Sequence, residues 1–347
     1  MRNNYPVQLV ALVAIAVGVL LSACGEPPWN NPHPPAPDDL MIYQSVMTPA
    51  PPKHLDPAIS YASDESLYLM QIYEPPMGYH FLKRPYELLP LGVEDFPELT
   101  YLDEAGNEVG EGDASVAFTR YTLTVREDEH YQPHPAFALD ENGEPLYLFD
   151  SPEEGAAYRQ VPDFPESGHR RVLANDYVYA IKRLADPLNG SPMLGFMAQY
   201  IVGMKEFSQR VAGVEREGWL NLDDFAMEGL EVVDERTFTI TIMGRYPQFV
   251  YWLAMHFFSP IAPEVDRFYH NPGFDQRNLT LDWWPVGSGP YMMVENNPNS
   301  AIVLERNPNY REDFFPTEGE PGDLEKGFLA DAGKPIPFVD RAVYRLE

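Results

Sequence analysis

Hydrophobic patterning begins near residue 40. Residues 40–46 read as a short buried strand, closed by Thr48-Pro49-Ala50-Pro51-Pro52. Residues 64–73 read as a helix. Ser63 or Asp64 supplies its cap, Asp64 and Glu65 complement its positive end, and Glu74-Pro75-Pro76 stops it. Residues 121–125 alternate as a strand. The strongest helical pattern spans 175–184, where Tyr177, Val178, Ile181 and Leu184 share one face. Asn175 or Asp176 caps it, Lys182 and Arg183 occupy its last turn, and Asp186-Pro187 ends it. Residues 230–233 and 237–242 form a hairpin around Asp234-Glu235. In its second arm Phe238, Ile240 and Ile242 alternate with Thr237, Thr239 and Thr241, the period of a half-buried strand. Residues 291–294 and 301–304 form a second hairpin, and the aromatic-rich run 248–258 reads as a helix. The acidic, Pro/Gly-rich stretches 103–113, 139–168 and 316–335 read as surface loops. The mixture of elements is α/β or α+β.

Upstream the pattern changes. Residues 7–21 carry no charge and are mostly Val, Ala and Leu, with Arg2 the one charge before them. That run is short for a membrane span and suits the apolar core of a secretory signal. Leu21-Ser22-Ala23-Cys24-Gly25 follows, and Cys24 is the only cysteine in the chain. The segment resembles a bacterial lipobox, which implies a signal peptide over 1–23 and lipidation of Cys24. Residues 24–37 are rich in proline and read as an extended tether. The expected location is periplasmic or at the cell surface, with the protein held to a lipid membrane through Cys24.

Composition narrows the function classes. The 347 residues hold 53 Asp and Glu against 24 Lys and Arg, a formal net charge of −29, and this repels nucleic-acid phosphates. One cysteine excludes an internal disulfide and any multi-cysteine zinc site. With 44% hydrophobic and 13% aromatic residues the chain has material for a large core. No constellation argues for catalysis. Val286-Gly287-Ser288-Gly289-Pro290 lacks the spacing of a nucleophile elbow and reads as a tight turn before a strand. His130, His134 and His169 lie in acidic loops without a metal-binding spacing, and pairs such as Glu94-Asp95 follow from sheer acid content. No phosphate-cradling glycine loop is present, so neither a metal nor a cofactor is expected.

Six segments, in order, resemble one family. Leu55-Asp56-Pro57 is followed by Ile72-Tyr73-Glu74-Pro75. Next come Leu173-Ala174-Asn175-Asp176-Tyr177-Val178-Tyr179-Ala180 with Lys182-Arg183-Leu184-Ala185-Asp186-Pro187, then Gly229-Leu230-Glu231-Val232-Val233-Asp234-Glu235-Arg236-Thr237. Tyr246-Pro247-Gln248-Phe249, Val286-Gly287-Ser288-Gly289-Pro290-Tyr291 and Leu304-Glu305-Arg306-Asn307-Pro308-Asn309-Tyr310 complete the series. Together behind a lipobox they resemble the family 5 extracellular solute-binding proteins, the oligopeptide and dipeptide receptors of ABC importers. The run from Tyr79 to Pro90 is similar to a longer branch of that family.

The resemblance implies an α/β fold of the periplasmic-binding-protein type II class, cluster C-like, in which lobe 1 carries an inserted α+β domain. Lobe 1 maps to 38–62 and 172–338 and the insert to 63–171, while 339–347 begins the crossover to a second lobe expected to lie outside these residues. It further implies a non-enzymatic, monomeric receptor that presents captured peptide to an ABC permease and ATPase. The ligand-contacting positions it points to on lobe 1 are Tyr61, Ala62, Ser63 and Asp64, which lie along an extended peptide. Gly287, Ser288 and Gly289 join them near the cleft floor, where glycine permits close approach and Ser288 can donate to a ligand carbonyl. Alternatives are a member that binds a non-peptide solute, a truncated non-transporting remnant and, with least support, a secreted hydrolase.

Overall fold

A computed structural model describes residues 40–47 and 50–346. The 1–23 signal segment, Cys24 and the 24–37 tether lie outside the described residues. In chain order the strands are β1 (Ile42–Val46), β2 (Met77–Tyr79), β3 (Leu88–Pro90), β4 (Glu98–Leu102), β5 (Glu108–Val109), β6 (Phe118–Thr124), β7 (Leu230–Val232), β8 (Thr237–Met243), β9 (Tyr291–Asn297), β10 (Ala301–Arg306), β11 (Asp313–Phe314), β12 (Pro335–Ile336) and β13 (Arg341–Arg345). Four helices matter below: α1 (Ser63–Ile72), α2 (Ala174–Ala185), α3 (Met204–Ala212) and α4 (Pro263–Tyr269).

Two larger sheets organise the molecule. One is ordered β1-β13-β10-β9, with β1 parallel to β13 and the remaining pairs antiparallel. The other is antiparallel and ordered β5-β4-β6-β8-β7. Strand alternation explains their sidedness. Ile302, Leu304, Ala342 and Tyr344 turn into the main core, whereas Ala301, Val303 and Val343 form a small cluster on the opposite face. α1 covers the core face: Tyr68 meets Tyr344 edge-on at 5.0 Å, and Gln71 donates to the Tyr344 hydroxyl at 3.0 Å. In the second sheet Phe238, Ile240 and Ile242 are fully buried, and Tyr177 of α2 stacks on Phe238 at 5.1 Å.

Several local expectations need correction. Ala62 occupies the N-cap of α1, and the side chain of Glu65 at the third helical position accepts its N–H at 3.2 Å. Leu173 is the N-cap of α2, served in the same way by Asp176 at 2.9 Å, while Asn175 turns away to Asp223. α2 buries more than the one apolar face read from its sequence. Its polar positions are buried too, because Lys182 pairs with Asp223 and Arg183 with Asp56 and Asp266. Residues 248–258 do not make one helix. Phe249–Trp252 and a 3₁₀ turn at His256–Phe258 are separated by extended backbone at Met255, which lets Phe249, Leu253, Phe257 and Phe258 all reach the core.

Hydrogen bonding also runs across the boundaries drawn at 63 and 172. β6 pairs with β8 from Phe118↔Met243 to Thr124↔Thr237, and α1 packs on the sheet that contains β13. β13, which falls within 339–347, is an interior strand between β1 and β10.

Candidate ligand-binding site

The loop before α1 is fixed from below. Asp56 is buried and forms a bidentate pair with Arg183 of α2, at 2.7 and 3.0 Å. Arg183 also donates to Asp266 of α4 at 2.9 Å, and Asp266 accepts from Tyr179 and from the Trp219 ring N–H. The guanidinium holds the Asp266 carboxyl below its ordinary range despite the opposing push of burial. On the other side Asp282 accepts the N–H groups of Leu55 and Asp56 at 2.8 and 3.1 Å. The Leu-Asp-Pro motif and the α2 motif are thus two halves of one buried ionic joint.

From that joint the chain rises to Tyr61, Ala62 and Ser63, all exposed, with Asp64 half-buried. Glu65 anchors the rise. It accepts from the Ser60 hydroxyl at 2.6 Å and from the N–H of His54, Tyr61 and Ala62. Burial pushes this carboxyl up, but the Ser60 hydroxyl and the N–H groups of Ala62 and His54 outweigh it and hold it below its ordinary value. Burial lowers His256, and because a carbonyl can only accept, its Nε2–H donates to that of Ser60 at 3.0 Å. The Tyr61 ring is 69% exposed and stacks on Phe257 with centroids 6.2 Å apart. Ser63 and Asp64 open α1, so their N–H groups have no carbonyl one turn earlier to meet, and none accepts them among the described residues. The result is a braced, exposed edge with free backbone donors.

The glycine turn lies elsewhere. Gly287, Ser288 and Gly289 are buried beneath the C-terminal end of α1. Gly289 donates to the Ile72 carbonyl at 2.8 Å, and Gly287 exchanges hydrogen bonds with Gln132. A Cβ on Gly287 would stand 2.0 Å from the Ile72 carbonyl oxygen, so close approach of backbones explains the glycine. The Ser288 hydroxyl donates to Glu129 at 2.7 Å. Burial, reinforced by the neighbouring Glu74 charge, pushes Glu129 up to about 8, so it is mainly protonated at neutral pH. The two groups of expected site residues therefore occupy opposite ends of α1, about 15 Å apart at 1.5 Å per residue.

Of the loop histidines, His134 is buried, accepts the Ala136 N–H and bonds Tyr269, and burial lowers it to about 3. His130 and His169 rings lie 6.0 Å apart. Among the described residues no cluster of three or more His, Cys, Asp or Glu is placed to hold a metal ion, and no helix is long and apolar enough to cross a membrane.

Sequence reasoning missed Glu65 and Phe257 as supports of the exposed edge. A glutamate three residues after an N-cap was the available signal for the first; the second has none, because only the fold brings the 248–258 segment to the loop.

Comparison with known proteins places this geometry. The sequence pattern of the bacterial extracellular solute-binding proteins, family 5 middle portion, matches residues 167–345, just over half the chain. The periplasmic oligopeptide-binding protein OppA of Salmonella typhimurium is 28% identical over 140 residues, which cover 40% of this chain and 23% of that protein. The structure of the Escherichia coli murein tripeptide binding protein MppA superposes with a TM-score of 0.51 at 17% identity, covering 89% of this chain and 42% of that one. Listeria monocytogenes OppA bound to peptide gives 0.52 at 13% identity, over 89% and 43%. The chain therefore spans less than half the length of these relatives, and over that part it has the periplasmic-binding-protein type II fold. Arg183, Asp266 and the buried glycine turn all fall inside the matched stretch, and the chain belongs to the bacterial extracellular solute-binding proteins of family 5.

Proposed function

We propose that this protein captures oligopeptides or dipeptides outside the cytoplasm and passes them to the permease and ATPase of an ABC importer, without catalysing a reaction. The observation that carries this reading is the exposed edge at Tyr61–Ala62–Ser63. Its free backbone donors are the N–H groups of Ser63 and Asp64, held in a fixed position while Glu65 takes those of Tyr61 and Ala62, which suits main-chain pairing with an extended peptide and is indifferent to side-chain sequence. Bracing by Glu65, His256 and the Asp56–Arg183 pair reduces the ordering cost of such pairing. The names of the relatives are in keeping with it. In this reading the molecule is a monomer, anchored by lipid on Cys24 through the 24–37 tether, with lobe 1 and insert divided near 63 and 172. Ser288 is a support of the floor beneath α1.

Calorimetric titration of the protein with di- to hexapeptide pools tests the reading. Saturable heat and a raised melting temperature are expected. Neither heat nor stabilisation with any peptide, alongside stabilisation by a non-peptide solute, would move the assignment to another solute class.

A further inference from the structure

A cavity of about 440 Å³ opens at the C-terminal end of α1, between the β2–β3 hairpin and the segment carrying β11 and β12. Its walls are largely aromatic. Phe81 stacks on Phe315 with planes 4° apart, Phe315 meets Phe338 at 5.9 Å, and Tyr73, Tyr79 and Tyr310 are among the other side chains that line it. Several of these rings remain open to solvent, Phe81 by 61%, although they surround one hollow. Exposed apolar side chains gathered around a concave site mark binding surfaces more often than surface scatter does.

The charges at this cavity are unbalanced. Glu74 and Asp313 both line it, while among the described residues no lysine, arginine or histidine does. The nearby cation, Arg311, is buried behind the wall, pairs with Glu74 and lies 3.8 Å from Asp313. Two carboxyls share one guanidinium, which is hydrogen-bonded to Glu74 and stands 3.8 Å from Asp313, so the partly exposed Asp313 is the one without a close cationic partner. Tyr310 donates to Asp313 at 3.0 Å and orients it. Lys83 and Arg84 stand outside the cavity and are engaged: Lys83 bonds Glu318 and Glu87, the Arg84 N–H bonds Glu320, and its guanidinium lies over Tyr86. These ties also pin the two walls together, so the hollow is preformed.

We propose that this cavity binds an alkylammonium group. Aromatic faces attract a cation through their quadrupole, and a carboxylate at the mouth adds a charge-assisted hydrogen bond that a neutral alkyl group cannot use. The group can arrive as a free amine or as a lysine side chain of a peptide. The cavity is distinct from the Tyr61–Ser63 edge at the other end of α1, so its occupancy does not depend on the peptide reading.

The test uses two matched pairs measured by calorimetry at low salt: n-butylammonium against 1-butanol, and Ala-Lys-Ala against the same tripeptide with norleucine in place of lysine. The cationic member of at least one pair should bind about tenfold more tightly, and 0.5 M NaCl should shrink that preference. Asp313→Asn should remove the preference. Phe81→Leu, at an exposed ring that no core contact needs, should weaken the cationic member severalfold and serves if the Asn variant does not fold. Discrimination in the first pair shows that free amines suffice; discrimination in the second alone shows that the group comes with a peptide. No preference in either pair, or a preference unaffected by both variants, overturns the proposal. Tripeptides that bind equally well, with no preference for butylammonium over butanol, would overturn it and leave the peptide reading standing. Butylammonium binding with no tripeptide binding would do the reverse.

Discussion

Arg183 and Asp56 stand 127 residues apart in the chain and meet through two hydrogen bonds of 2.7 and 3.0 Å, with both side chains almost wholly buried. Neither ion has water to fall back on, so removing Asp56 leaves two of the buried guanidinium's donors unpaired, with Asp266 its one remaining acidic partner. Asp56→Ala should lower stability by about 3–5 kcal/mol, read from urea midpoints at unchanged slope. A loss below about 1 kcal/mol would show that the joint behaves like a surface pair.

The glycine turn makes a steric prediction. Gly287→Ala places a methyl 2.0 Å from the Ile72 carbonyl oxygen and must push α1 away, at a cost of about 1–3 kcal/mol or more. Gly110, with open space around its Cβ position, is the control, and Gly110→Ala should leave stability unchanged or raise it by about 0.4–1 kcal/mol. Equal melting temperatures for the two variants would contradict the close approach.

Glu129 predicts a pH dependence. Its folded-state value, near 8, lies above that of the unfolded chain, so folding favours the protonated form. That stability is fully present below the unfolded value, near 4.5, and is lost as pH rises to about 8. His134, lowered to about 3, acts in the opposite sense, since its contribution is present above 6.5 and lost as pH falls. Above pH 6.5 the His134 contribution is constant, and burial raises the Glu74 carboxyl as well, so it acts in the same sense as Glu129. The melting temperature should fall between pH 6.5 and 8, and Glu129→Gln should flatten the fall. A slope that persists in the Gln variant would assign it to another group.

The exposed edge can be probed through its backbone. Ser63 is the first residue of α1 after an extended Ala62, a position where proline is accommodated. Ser63→Pro deletes one free N–H and should leave the melting temperature close to that of the parent. It should weaken peptide binding by about 1 kcal/mol, or roughly fivefold, whereas Ser63→Ala should not. Peptide binding equal in all three proteins would remove that N–H from the site.

Local patterns carried much of this architecture. The threonine alternation of β8, the β9–β10 hairpin and α2 are readable because side-chain period reports local geometry directly. The 248–258 run misleads because its nearly unbroken apolar composition, which includes the half-exposed Tyr251, hides the period by which a helix is recognised. Pairing of β6 with β8 leaves no local mark, since nothing in either strand names its neighbour. At the candidate site the exposed loop was legible through resemblance, but its brace was not. Glu65, His256 and Phe257 come together only after folding. Likewise the aromatic cavity joins the 77–90 and 313–338 segments, each unremarkable alone.

The parallel pairing of β1 with β13 sets residues 42 and 341 side by side, with β13 the neighbour that β1 shares with β10. Closing that sheet must await synthesis of nearly every residue between them. Until then β1 has no hydrogen-bonding partner in its sheet, and the loop to be closed is as long as the unit itself. Such high contact order slows folding, which favours a chain still open and threadable while it is being made.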